Sequence, residues 1–152
     1  PTRRSSDLHH YNAIHPDYQV FVKIFGHDYS HMHHYAFGLQ FIDSYYKTTN
    51  QQKKSFYLES AISEFDYVLK RSSLKNPVLN QIYYKKGDAY LLMKNYPAAA
   101  VEYLKSIKIK KEELYPYLKL SECYTMVGMH KEAKEALELG RKNTEINKNS
   151  NK

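Results

Sequence analysis

Asn80–Glu113, NQIYYKKGDAYLLMKNYPAAAVEYLKSIKIKKEE, lies in register over Leu114–Asn147, LYPYLKLSECYTMVGMHKEAKEALELGRKNTEIN, when the chain is slid along itself by 34 residues. Tyr83 falls on Tyr117, Lys85 on Lys119, Tyr90 on Tyr124, Ala99 on Ala133 and Lys108 on Lys142. Small, acidic and large apolar side chains are kept at Gly87/Ser121, Asp88/Glu122 and Tyr103/Leu137. Self-similarity at a fixed period of this length is the mark of a repeat array, in which each unit buries its apolar face on its neighbour.

Each unit divides into two short helices. In the first, Ile82, Tyr83, Ala89, Tyr90 and Met93 recur near helical spacing, and Lys94-Asn95 follows as a turn. Pro97 then stands where proline is tolerated, in the opening turn of a new helix that sets Val101, Leu104 and Ile107 on one side. In the second unit Tyr117, Leu120, Tyr124 and Val127 make the first helix, and Gly128 ends it. Its partner runs through KEAKEALELG with Ala133, Ala136 and Leu137 inward. Alanine at 99 and 133 has a steric reason, since two helices approach closely only where a small side chain faces the partner.

The set Tyr83, Gly87, Tyr90, Ala99, Tyr103 and Ser106, with its counterpart Tyr117, Leu120, Ser121, Tyr124, Ala133, Leu137 and Gly140, resembles the tetratricopeptide repeat. The first unit departs from that pattern with Lys86 where the family carries Leu and Lys111 where it ends on Pro. The resemblance implies an all-α fold of helix-turn-helix hairpins stacked as a short right-handed solenoid. It also implies a concave groove lined by the first helices.

Upstream, residues 31–76 are expected to form a degenerate hairpin. His31–Lys47 carries an apolar stripe of Tyr35, Gly38, Leu39, Phe41, Ile42 and Tyr45, the polar run Thr48–Lys54 breaks it, and Ser55–Arg71 supplies the partner helix. Gly38 and Ala61 match Gly87 and Ala99, but 23 residues separate them where 12 separate the later pair. Either the first helix is longer or the loop is larger. Residues 9–30 are irregular and His-rich, with one short helix over Pro16–Phe25 that buries Val20, Phe21 and Phe25 and stops at Gly26. From Lys142 the chain is polar, with a disordered tail expected over 146–152. Pro1–Leu8, PTRRSSDL, resembles a translated sequencing-library adapter and no Met precedes it, so these residues are expected to be non-native and the natural N-terminus missing. Cytoplasmic and periplasmic locations both stay open.

The chain carries +7, or +6 without Arg3, Arg4 and Asp7. The basic residues left are 19 Lys against Arg71 and Arg141. Nucleic-acid binding would favour arginine for bidentate contacts, so no nucleic-acid partner is expected, only a mild preference for acidic protein surfaces. No apolar run is long enough for a membrane span, and Cys123 alone builds neither a disulfide framework nor a cysteine zinc site.

Gly-rich phosphate loops and nucleophile-elbow motifs are absent, and no cofactor or catalytic role is expected. Glu59, Glu64 and Asp66 fit a solvated helix face. The family resemblance directs Gln81, Tyr84, Asp88, Leu91 and Leu92, then Tyr115, Leu118, Glu122, Thr125 and Met126, toward the groove. Met32, Tyr35, Leu39, Ile42 and Asp43 would extend it. This mixture suits a peptide or helix of a partner protein, and the two acids disfavour the family's C-terminal-carboxylate grip. A competing reading is a divalent-metal-binding or sensing module: were 27–34 helical, His27, His31 and His34 would share one face, with Asp28 nearby.

Overall fold

A computed structural model describes residues 18–150. The adapter-like segment, residues 9–17 and the last two residues of the polar tail lie outside the described residues. Helix α1 spans Tyr18–Phe25, followed by a 3-10 helix over Gly26–His31. Then come α2 (Met32–Lys47), α3 (Gln51–Leu69), α4 (Leu79–Leu92), α5 (Tyr96–Ile109), α6 (Leu114–Met126) and α7 (His130–Ser150). From α2 onward each helix packs on the one before it, and no strand occurs among the described residues. None of their helices is long and apolar enough to cross a membrane.

The turns follow local chemistry. Asn95 caps α5 by accepting a bond from the Ala98 amide (3.3 Å), and Pro97 sits in the first turn. Lys94 takes a left-handed conformation (φ 60°) where α4 reverses, as Gly128 does (φ 81°) where α6 reverses. Only the glycine adopts it without strain.

The first hairpin solves its extra length in helix alone. Asn50 accepts a bond from the Lys53 amide (3.0 Å) and so starts α3 inside the polar run expected to interrupt it. The turn shrinks to residues 48–50, the same length as 93–95. Helix α2 runs nine residues past Gly38 where α4 runs five past Gly87, and α3 begins 14 residues before Phe65 where α5 begins seven before Tyr103. Below this extension the two hairpins close alike. A Cβ on Gly38 would stand 2.3 Å from the Phe65 ring, and one on Gly87 2.8 Å from the Tyr103 ring.

Two apolar clusters form the core. Ala61, Phe65, Val68 and Ile82 join the first hairpin to α4, while Ala99, Ala100, Tyr103, Leu120, Cys123 and Ala136 join the second to the third. Three expectations need correcting. Val101 and Leu104 are exposed, because the inward face of α5 is Ala99, Ala100, Glu102, Tyr103 and Ser106. Val20 and Phe21 are also exposed, since α1 packs mainly on the 3-10 turn, with Phe21 stacked on Phe25 and Tyr29. Helix α7 continues to Ser150, through the first part of the tail expected to be disordered over 146–152, and just before it Asn143 donates to the Tyr117 hydroxyl (2.7 Å) and the Thr144 hydroxyl to the Glu112 carbonyl (3.3 Å).

Candidate functional site: a cleft between the first helices

Helices α2, α4 and α6 together wall a cleft of about 520 Å³, within the roughly 300–1,000 Å³ usual for binding pockets. Ile42, Tyr45 and Tyr46 come from α2, and Lys85, Asp88, Leu91 and Leu92 from α4. Lys94 enters from the α4–α5 turn and Tyr96 from the start of α5, while α6 supplies Tyr115, Lys119, Glu122 and Met126.

Asp88 is the polar centre of its floor. Its Oδ1 accepts from the Tyr103 hydroxyl at 2.8 Å and the Tyr115 hydroxyl at 2.9 Å, and Lys85 reaches Oδ2 at 3.3 Å. One carboxylate thus ties α4 to α5 within its hairpin and to α6 of the next. Burial, then the Asp88 charge and its hydrogen bond, push both phenols well above the ordinary tyrosine value. The Tyr35 phenol, raised by burial and then by Tyr84 and Asp88, is pushed up to about 12. On the opposite wall Lys119 donates to Glu122 at 2.8 Å. That hydrogen bond outweighs partial burial and raises the Lys119 ammonium.

Of the residues singled out from sequence, Asp88, Leu91, Leu92, Tyr115, Glu122 and Met126 line the cleft. Tyr84 packs instead against the second core cluster, its ring 5.1 Å from that of Tyr115. Gln81, Leu118 and Thr125 do not line it; Leu118 is exposed, and the Thr125 hydroxyl turns back to the Ser121 carbonyl at 2.9 Å. Met32, Tyr35 and Leu39 pack on the first cluster, Ile42 touches both cluster and cleft, and Asp43 faces solvent. Sequence reasoning missed Tyr45, Tyr46, Lys85, Lys94, Tyr96 and Lys119. The tyrosine pair lies in the added residues of α2, seven and eight past Gly38, where α4 ends five past Gly87.

A second polar centre stands between the first two hairpins. Lys86 is buried with Asp66 at 2.7 Å and Glu102 at 3.3 Å, and Lys105 reaches the same Glu102 oxygen at 2.9 Å. Burial alone would lower the Lys86 ammonium, but the Asp66 hydrogen bond and Glu102 charge outweigh it and the net shift is upward. The second Glu102 oxygen is buried without a hydrogen-bond partner. Asp66 and Glu64, expected on a solvated face, both hold partners, Glu64 pairing with the His34 Nδ1.

The three histidines do not converge. The 3-10 winding of 26–31 followed by α-helix from Met32 breaks the spacing that would have aligned them. The His27 and His31 rings lie 6.1 Å apart, whereas His34 stacks on Tyr67 at 3.7 Å. Tyr67 also carries the Arg71 guanidinium 3.7 Å from its ring centre. Burial, then the Arg71 charge, holds the His31 imidazole below its ordinary value. Asp28 is buried and turned to the inter-hairpin loop, where it accepts from the Ser73 amide (3.0 Å) and hydroxyl (2.9 Å). Among the described residues no group of three or more His, Cys, Asp or Glu is placed to hold a metal ion. The Cys123 thiol is buried and pushed up to about 11, first by that burial, so it is a poor nucleophile. Comparison with known proteins finds no matching family model, no matching curated protein and no matching solved structure.

Proposed function

We propose that this chain is a non-catalytic protein-interaction scaffold of tetratricopeptide type, which holds a peptide or helix of another protein in the cleft between its first helices. One observation carries the reading. The first helices of all three hairpins, distant in sequence, contribute side chains to a single cleft, and that is how stacked helical hairpins present an extended binding surface. The chemistry of the walls agrees. Leu91, Leu92, Met126, Ile42 and the tyrosines offer apolar and amphipathic contact of the kind found at protein interfaces. The 34-residue offset supports the stacking itself, for Tyr84, Tyr96, Ala100 and Ile107, which belong to or pack on the cluster shared by the second and third hairpins, map onto Leu118, His130, Lys134 and Arg141. The outer face of the third hairpin is therefore more polar than the equivalent face of the second, as in a capping repeat.

The test is a pull-down with the full chain as bait, comparing wild type, Leu92→Lys with Met126→Lys in the cleft, and Leu104→Lys on the opposite surface. Proteins retained by wild type and the surface variant but lost by the cleft variant support the scaffold reading. A captured set indifferent to the cleft changes sinks it.

A further inference from the structure

The walls of the cleft are unbalanced in hydrogen-bonding capacity. Its two carboxylates hold partners from within: Asp88 accepts from two tyrosine hydroxyls and Lys85, and Glu122 accepts from Lys119 through one of its two oxygens. Its donors are not. Lys94, at the α4–α5 turn, makes no ion pair or hydrogen bond among the described residues through its ammonium, and the hydroxyls of Tyr45, Tyr46 and Tyr96 make none either. Lys85 and Lys119 each give one of three ammonium hydrogens to their carboxylate partners, which leaves further donor capacity at the cleft. An entering ligand thus meets free N–H and O–H groups beside the apolar side chains of Leu91, Leu92, Ile42 and Met126. The chain's net charge, +7 or +6 without the adapter-like segment, favours a partner of negative charge at long range.

From this asymmetry we infer that the cleft takes an acidic peptide segment, with Asp or Glu side chains flanking one large apolar residue. The inference rests on the scaffold reading above and specifies the partner class for the same cleft. The apolar side chain lodges against Leu92 and Met126, and the carboxylates accept from Lys94 and the tyrosine hydroxyls. Internal acidic side chains satisfy these donors; a free C-terminus is not required. Basic segments are disfavoured, because Asp88 holds three partners and Glu122 pairs with Lys119, whereas Lys94 is unpaired.

A random-peptide phage library panned on the immobilised full chain tests this, followed by fluorescence anisotropy with labelled copies of the enriched peptides. Enrichment of acidic peptides bearing a large apolar residue is expected. Replacing their Asp and Glu by Asn and Gln, or making Lys94→Glu in the protein, should weaken binding roughly tenfold, and added salt should weaken it further. Met126→Gln, which removes the apolar contact without adding charge, should weaken it severely while circular dichroism and melting stay as in wild type. Neutral or basic peptides whose binding is lost with Met126→Gln would overturn the acidic class and leave the scaffold reading standing. Enriched peptides indifferent to Met126→Gln, or no enrichment, would overturn both.

Discussion

Replacing Lys86 by Leu inserts the residue that the third hairpin carries at the matching place, Leu120, which is buried. By pattern alone the change should improve the core. The structure gives the opposite sign. Lys86 lies between Asp66 at 2.7 Å and Glu102 at 3.3 Å, and the Glu102 side chain is only 6% exposed. Removing one partner of a buried ion pair typically costs about 3–5 kcal/mol, because the remaining charge stays desolvated. Two features soften the loss. Lys105 still reaches Glu102 at 2.9 Å, and the Asp66 side chain, 38% exposed, rehydrates. Leucine also replaces much of the aliphatic stem of lysine, so burial changes little. The net expectation is a loss of about 2–3 kcal/mol, or roughly 4–12 °C in melting temperature for a chain of this size. The double variant Lys86→Leu, Glu102→Ala imports the Leu120/Ala136 pair of the third hairpin and removes the stranded charge. It should recover to within about 1 kcal/mol of wild type. Urea denaturation followed by far-UV circular dichroism measures all four corners of the cycle. A Lys86→Leu single variant as stable as wild type, or a double variant less stable than that single one, would show that the buried Glu102 charge is not what Lys86 offsets.

Asp88→Ala leaves the Tyr103 and Tyr115 hydroxyls without their acceptor, at a cost of about 2–4 kcal/mol. Asp88→Asn keeps an acceptor oxygen and should lose about 1 kcal/mol or less, both readable by thermal melting. At the left-handed turn position, Lys94→Gly should raise stability by about 0.5–1 kcal/mol, and Gly128→Ala should lower it, in paired urea titrations. Alkali should unfold the protein through its buried phenols. Their folded values lie above the ordinary 10, with Tyr35 at about 12. This contribution is intact below about pH 10 and is lost as pH rises through the folded values. Urea midpoints measured at about pH 9 and about pH 11 should show the fall, and a Tyr35→Phe, Tyr115→Phe variant should show less of it.

The features legible in the sequence are those set by nearby residues. The Lys94-Asn95-Pro97 turn, the stop at Gly128 and the inward Ala99, Ala133 and Ala136 follow from local spacing, and the structure has them. Features that depend on distant partners were not legible. Lys86 resembles a surface lysine until α3 and α5 bring Asp66 and Glu102 to it, 20 and 16 residues away. Asp88 resembles a free groove acid until Tyr103 and Tyr115 arrive from later helices. The start of α3 turned on one capping side chain, Asn50, inside a run of polar residues that looks like loop. Tyr45 and Tyr46 reach the cleft only because the added residues of the first hairpin became helix. Periodicity marks which residues are helical; it does not show how far one helix overhangs the next.

We propose that this chain binds its partner on the face formed by α2, α4 and α6. Amide chemical-shift mapping of the isotope-labelled full chain, titrated with a peptide from the panning experiment, tests it most directly. Shifts should concentrate at Tyr45, Tyr46, Lys85, Leu92, Lys94, Lys119 and Met126, leaving Val101, Leu104 and Leu139 unmoved. Shifts confined to Val101, Leu104 and Leu139, with the cleft amides still, would place binding elsewhere on the molecule.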